Sequence, residues 1–239
     1  MLQSLDCWIS VMSTSCWQIF SGRLEMETTE KQLTYENLIV PYERDTFSGQ
    51  LIDVGIPKDS IESILEMEAN EPESQLHMWL HDDIRKDETE FRNGERFIQF
   101  SGIYITDGKN VLLESDPLIE WKGYGMGGLL SPSNDSAENA LNEISEETPL
   151  ESSRDRLYLL GETQNSSISP KLPGVMSHRD GYMFLYVVDS LEGIPETHYG
   201  SDGQKHDLMV IPIEDVLDRE GVDGNFKKSV RDYDLVSSE

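Results

Sequence analysis

Three carboxylates, Glu143, Glu146 and Glu147, fall at i, i+3 and i+4 in the segment "GLLSPSNDSAENALNEISEETPL", Gly128 to Leu150, which holds no Lys or Arg. On a helix this spacing puts all three on one face. Like charges so placed repel by about a few tenths of a kcal/mol per pair. A divalent cation reverses the sign of that interaction, because hard ions are held by carboxylate oxygens. Composition alone supplies about one or two such triplets in a chain with 46 acidic residues among 239. The triplet therefore gains meaning only from the elements around it.

Asp135 followed by Glu138 is a capping-box arrangement and predicts a helix beginning near Ser136. Pro149 disfavours the helical conformation at Thr148, so the helix stops there. Between these limits Ala137, Ala140, Leu141 and Ile144 form the stripe to be buried, and the three glutamates lie on the opposite side. Counted back from Glu143, the spacing G-x5-E-x7-R-E-U-x-E-E-x-G-U puts Gly128 at the first glycine. Ile144 and Leu150 take the apolar positions, and the three late carboxylates all match. The segment resembles the Nudix box of the Nudix hydrolase superfamily, in a degenerate form. Asn134 stands in place of the first Glu, Asn142 in place of the Arg, and Pro149 in place of the second Gly.

The resemblance covers about residues 96–221. It implies an α/β fold, a Nudix-type α/β/α sandwich with a mixed sheet, here carrying an N-terminal extension. It also implies a hydrolase that cleaves the pyrophosphate of a nucleoside diphosphate linked to another group, with Mg²⁺ or Mn²⁺ held by Glu143, Glu146 and Glu147 as catalytic and metal-binding residues. A further base often comes from a later loop, for which Glu192, Glu196 and Asp202 are the candidates. The Arg missing at Asn142 would support the glutamates. The alternative is thus a catalytically impaired Nudix-like module that binds a nucleotide or a protein. A homodimer is left open.

Four segments follow from the pattern along the chain. Residues 1–25 hold only two of the acids, Asp6 and Glu25, but both cysteines, Cys7 and Cys16, and two of the four tryptophans. They read as a non-native or disordered extension upstream of a natural start at Met26; an amphipathic anchor is the rival. Residues 26–95 read as an α/β extension. In it "NLIVPY" and "QLIDVGI" are short strands, and "DSIESILEMEA" is a helix capped by Asp59 or Ser60. A second helix in "PESQLHMWLHDDIRKDETEF" carries Leu76, Trp79, Leu80 and Ile84 on its apolar stripe. Residues 96–221 form the main domain. It opens with a hairpin turning at Asp107-Gly108, continues with strands in "RLYLLGETQ" and "GYMFLYVVDS", and closes with a strand and short helix in "HDLMVIPIEDVLDREG". Residues 222–239 read as a polar, frayed tail.

The formal net charge of −27 argues against nucleic acid and anionic membranes as partners. A small-molecule nucleoside diphosphate derivative remains the expected partner, reached with the help of a metal. A carboxylate-coated folded protein suits a cytoplasm of molar salt, where repulsion is screened within about 3 Å, and this predicts a cytoplasmic halophilic protein. No apolar run approaches a membrane span of about 18 residues. Cys7 and Cys16 provide neither a disulfide framework nor a zinc spacing.

Other motifs give way to simpler readings. "GYGMGG" formally matches a dinucleotide-binding glycine pattern, but "LLSPSN" separates it from the helix and no βαβ series follows. His77 and His81 stand four apart with Met78 where a zinc-protease Glu would be needed, and read as surface histidines. Trp121, Tyr124 and Tyr182 could stack on a base, although core packing is the commoner use of aromatics.

Overall fold

The computed structural model describes residues 30–70, 75–115, 123, 125–169, 172–201, 203–222 and 224–232. From Lys31 onward these residues form one compact unit. The expectations for residues 1–25, including Cys7 and Cys16, and those for Trp121, Tyr124 and Asp202, lie outside the described residues.

The first segment is more helical than its sequence suggests. After β1 (Gln32–Leu33) a short 3-10 turn, Tyr35–Asn37, leads into residues 38–43, irregular where a strand was expected. The second expected strand is instead part of α1 (Arg44–Asp53), because Phe47 and Leu51, one helical turn apart, are both buried. A run as short as "QLIDVGI" fits either period, and the upstream Phe47 decides for the helix. Helix α2 (Lys58–Asn70) starts before the expected Asp59 or Ser60 cap. The carbonyl of Pro57 already accepts the Ser60 and Ile61 amides.

Helix α3 (Leu76–Arg85) buries the expected Leu76, Leu80 and Ile84, with Trp79 partly buried. It stops earlier than its polar continuation implied. Asp87 takes φ +60°, and the chain turns into β2 (Thr89–Arg92). The two histidines of α3 are not on the surface: His77 is 1% and His81 2% exposed. The rings of Tyr42 and Phe47 pack against both. His77 Nε2 meets the Ser48 hydroxyl at 3.2 Å, and His81 Nε2 meets the Ile39 carbonyl at 3.1 Å. Burial pushes the His77 pKa down, which keeps the ring neutral in this cluster. The reading as surface residues failed because α3 is packed on two sides, so a second face is covered beyond the leucine stripe.

The sheet is mixed, as expected. Strand β3 (Glu95–Thr106) runs antiparallel to β2 and turns into β4 (Asn110–Ser115). The Asp107 carboxylate accepts the Lys109 and Asn110 amides at 2.9 and 2.7 Å in that turn. Strand β5 (Met126–Leu129) pairs with the middle of β3. Helix α4 (Ser136–Glu147) follows, and then the long ribbon of β6 (Leu157–Ser169) and β7 (Leu172–Val187). Strand β7 lies parallel to β3 from Arg96↔Ser177 to Thr106↔Val187. Strands β8 (Thr197–Tyr199) and β9 (Lys205–Pro212) complete the sheet on the far side of β4.

Because β7 takes one hydrogen-bonding edge of β3 along nearly its whole length, the other edge is shared end to end. Strand β2 takes residues 95–98, β5 takes 100–103 and β4 takes 105–106. The β2–β3 hairpin crosses position 95, so the N-terminal segment and the remainder share this sheet.

Alternation along β3 feeds two cores. Ile103 and Ile105 pack with Ala137, Ala140 and Ile144 of α4. Tyr104, between them, packs on the opposite face with Leu113, Val216 and the C-terminal residues Phe226 and Val230. Those last two residues belong to α5 (Gly224–Asp232), in the region read from sequence as a frayed tail. Phe226 and Val230, spaced i and i+4, anchor a helix too polar elsewhere for its pattern to stand out. The short helix expected after β9 is reduced to a 3-10 turn, Ile213–Asp215, with Val216 buried behind it. Helices therefore cover both faces of the sheet, α4 on one and α5 on the other. Among the described residues no helix is long and apolar enough to cross a membrane.

Candidate metal centre

Helix α4 begins and ends where its sequence says. The Asp135 carboxylate accepts the Ala137 and Glu138 amides at 3.0 and 2.9 Å, satisfying two donors of the first turn. At the other end Thr148 is extended before Pro149, and its buried hydroxyl donates to the Ile144 carbonyl at 2.6 Å. The same hydroxyl accepts the Leu150 amide at 3.1 Å. Pro149 thus costs the glycine-type helix end, and Thr148 replaces it.

The structure brings Glu143 and Glu147 into the protein and leaves Glu146 exposed at the rim. Glu143 lies against Gly128, where a Cβ would stand 1.8 Å from its Oε1. Glu147 Oε2 accepts the Gly127 amide at 3.2 Å. Gly127 itself has φ +144°, and a Cβ there would stand 2.1 Å from the Ser101 carbonyl oxygen. Gly128 therefore leaves room for the Glu143 carboxylate, while Gly127 meets Glu147 through its backbone amide.

Two residues that the sequence reading missed complete the group. Glu114, near the end of β4, and His206 on β9 are each 7% exposed. Their side chains meet at 2.7 Å, between Glu114 Oε1 and His206 Nδ1. In the β4–β9 register Glu114 faces Leu208, and His206, two residues from Leu208, shares its face. One donor atom from each of Glu114, Glu147 and His206 lies within 4.8 Å of the other two. A lone acid closing the apolar run "NVLLE" is a weak signal, and nothing in sequence connects it to a histidine 92 positions away.

Charge is dense here. Burial, with the nearby Glu146, Glu88 and Glu114, pushes the Glu143 pKa up to about 7, and Lys86 opposes the shift. Burial also raises Glu147 well above the usual carboxylate range, helped by Glu114 and Glu143 and opposed by the Gly127 amide. Glu88, also raised to about 7, chiefly by burial, comes from the α3–β2 junction. Through the shared edge of β3 the N-terminal segment thus delivers both Glu88 and Lys86 to the neighbourhood of Glu143.

Other expected residues fall elsewhere. Asn134 and Asn142 are exposed. Glu192 and Glu196 are exposed and lie outside the donor group formed by Glu114, Glu147 and His206. Tyr182 is partly buried against the α4 core. The donor set suits a divalent cation: two hard carboxylates and an imidazole around a narrow space, with Glu143 against Gly128 nearby.

No protein-family model matches the sequence, and no curated protein matches it. Among solved structures, the E. coli dihydroneopterin triphosphate pyrophosphohydrolase is similar over 58% of this chain and 96% of that one, at 12% identity and a TM-score of 0.45. A hydrolase of the NUDIX family from Clostridium perfringens is similar over 58% and 97%, at 15% identity and a TM-score of 0.40. A bifunctional NMN adenylyltransferase/ADP ribose pyrophosphatase from Francisella tularensis, complexed with AMP and a Mn ion, is similar over 57% of this chain and 41% of that one. Its identity is 17% and its TM-score 0.38. Likenesses of this strength assign no activity.

Proposed function

We propose that the protein is a metal-dependent pyrophosphohydrolase of the Nudix type, acting on a nucleoside diphosphate linked to another group. The observation that carries this reading is the convergence of Glu143 and Glu147 on β5, Glu143 against Gly128 and Glu147 on the Gly127 amide. The box spacing would demand this geometry if the glutamates hold a cation. Glu143 and Glu147 would hold Mg²⁺ or Mn²⁺ from inside, with Glu146 reaching it from the rim, directly or through water. The bound ion would neutralise diphosphate charge and acidify an attacking water. The chain's own part is to fix Glu147 by the Gly127 amide, to confine Glu143 against Gly128, and to keep both carboxylates poorly hydrated so that an ion is preferred to water.

A second reading, a binding module without turnover, is favoured by Asn142. It stands exposed at the position where the box has an Arg, and its uncharged amide can form no ion pair with the glutamates. A panel of nucleoside diphosphate compounds with Mg²⁺ or Mn²⁺ separates the two. Turnover in the wild type that disappears in Glu147→Gln and persists in Glu138→Gln supports the hydrolase. Metal binding with no turnover of any compound, in the wild type or in Asn142→Arg, favours the binding module.

A further inference from the structure

We infer that Glu114 and His206 are a strand-borne arm of the same metal centre, and that the imidazole tilts its preference from Mg²⁺ toward Mn²⁺, Co²⁺ and Zn²⁺. This rests on the reading that Glu147 holds a divalent cation.

A buried Glu–His contact could be a structural ion pair and nothing more. Such a pair balances itself: one carboxylate, one imidazolium. Here a third donor joins the pair, because Glu147 brings a second carboxylate oxygen within 4.8 Å of both donors. Burying a further carboxyl group beside a pair that already balances itself is costly for a fold and gains nothing for a structural pair. Two carboxylates and a neutral imidazole, in contrast, carry the charge that a divalent ion neutralises. The spacing also fits. Ligands about 2.0–2.2 Å from one ion lie about 3–4 Å from each other, so modest side-chain rotation closes a 4.8 Å group around a cation.

The backbone makes the arm rigid. Glu114 and His206 sit on paired, buried strands rather than on loops, and their mutual contact at 2.7 Å fixes the ring. A carboxylate that orients a ligating histidine is a recurrent device in metal sites, and its loss typically costs 10–100-fold in metal affinity. Mg²⁺ favours oxygen donors and retained waters. Imidazole suits later divalent ions, whose affinities rise from Mn²⁺ to Co²⁺, with Zn²⁺ also strong. A nitrogen donor beside the box carboxylates therefore changes selectivity more than it changes net charge.

Calorimetric titration of the full chain with Mg²⁺, Mn²⁺, Co²⁺ and Zn²⁺ tests the arm, in the wild type, His206→Phe and Glu147→Gln. His206→Phe should weaken Co²⁺ and Zn²⁺ by about tenfold or more and leave Mg²⁺ within about twofold, so the Zn²⁺/Mg²⁺ affinity ratio falls. Histidine ¹⁵N spectra of the unaltered protein give a second measurement that no folding defect can spoil: the His206 ring nitrogens should shift on addition of one equivalent of Zn²⁺. An unchanged affinity ratio together with an unmoved His206 signal overturns the inference and leaves the carboxylate centre standing. Undiminished metal affinity in Glu147→Gln overturns the carboxylate centre itself. Binding through His206 with no turnover of any diphosphate compound removes the hydrolase reading and keeps the arm.

Discussion

If Glu143 is kept in its buried place for the sake of a cation, the metal-free protein should be more stable without its charge. Burial pushes the carboxyl up to about 7 in the fold, against 4.5 for an ordinary glutamate. Burial is the first cause, followed by the neighbouring acids. The sign follows from which state holds the proton. Between pH 4.5 and 7 the unfolded chain releases it while the folded protein keeps it. The stability associated with Glu143 is thus complete below about pH 4.5 and is lost as pH rises through about 7. The shift corresponds to about 3 kcal/mol, partly shared with Glu147, which Glu143 also perturbs. The variant Glu143→Gln cannot ionise. In EDTA at pH 8 it should be more stable than the wild type by as much as about 3 kcal/mol, and at pH 4.5 the two should be alike.

Saturating Mn²⁺ at 100 times its Kd should stabilise the wild type by about 2.7 kcal/mol and the variant by much less. Urea denaturation at fixed ionic strength, at several pH values from 4.5 to 8, measures all of this. Glu138→Gln, which removes an equal charge from an exposed position, controls for net charge. A metal-free wild type whose stability is flat across this range refutes the argument. So does a Glu143→Gln variant that is less stable than the wild type at pH 8.

Three other outcomes are expected. Gly128→Ala presses a methyl group on the movable end of Glu143, so it should reduce metal-induced stabilisation with little change in metal-free melting. Gly127→Ala drives Cβ into the Ser101 carbonyl and should destabilise by several kcal/mol; equal effects of the two on melting would refute the distinction. Phe226→Ala should cost about 3–5 kcal/mol in urea denaturation, because the ring is 4% exposed and stands edge-on to Tyr104; a cost under about 1 kcal/mol would show that α5 is not part of the core. The melting temperature should rise from dilute buffer to molar KCl, since a net charge of −27 opposes compaction; an unchanged value would sink the halophile reading.

The parts of this fold that were legible in sequence are those fixed by local chemistry. Asp135 and Pro149 set the limits of α4, and Asp107-Gly108 sets the β3–β4 turn, because each acts on backbone groups within a few residues. What escaped was set by distant packing. Phe47 and Leu51 make a helix where a short apolar alternation suggested a strand. His77 and His81 disappear between Tyr42 and Phe47, and α5 is held by two apolar side chains in a polar run. The site divides in the same way. Its α4 carboxylates are written as a spacing. Glu114, His206 and Glu88 reach it only through strand register, and register between β4 and β9, or along the shared edge of β3, leaves no local mark.

That division also bears on the irregularities of the box. An Arg at position 142 would hold the glutamates by charge, and Asn142 faces solvent. Glu143 is nevertheless placed, because Gly128 offers its carboxylate a space that any other residue would fill. Glu147 is placed because the Gly127 amide donates to it. The helix end is held by Thr148 in place of a glycine. Steric confinement and backbone donors thus take over a task that an ion pair would perform, and they do so without neutralising charge. The carboxylates remain more strained toward protonation than paired ones would be, as the raised pKa values of Glu143 and Glu147 record. If it holds a cation, a site built this way should release more energy when the cation arrives and depend on it more. Asn142→Arg should then stabilise the metal-free protein at pH 8 while reducing the stabilisation gained from Mn²⁺. Urea denaturation with and without the metal measures both. If the substitution instead increases the gain from metal, it is positioning of the glutamates, and not their uncompensated charge, that limits the present site.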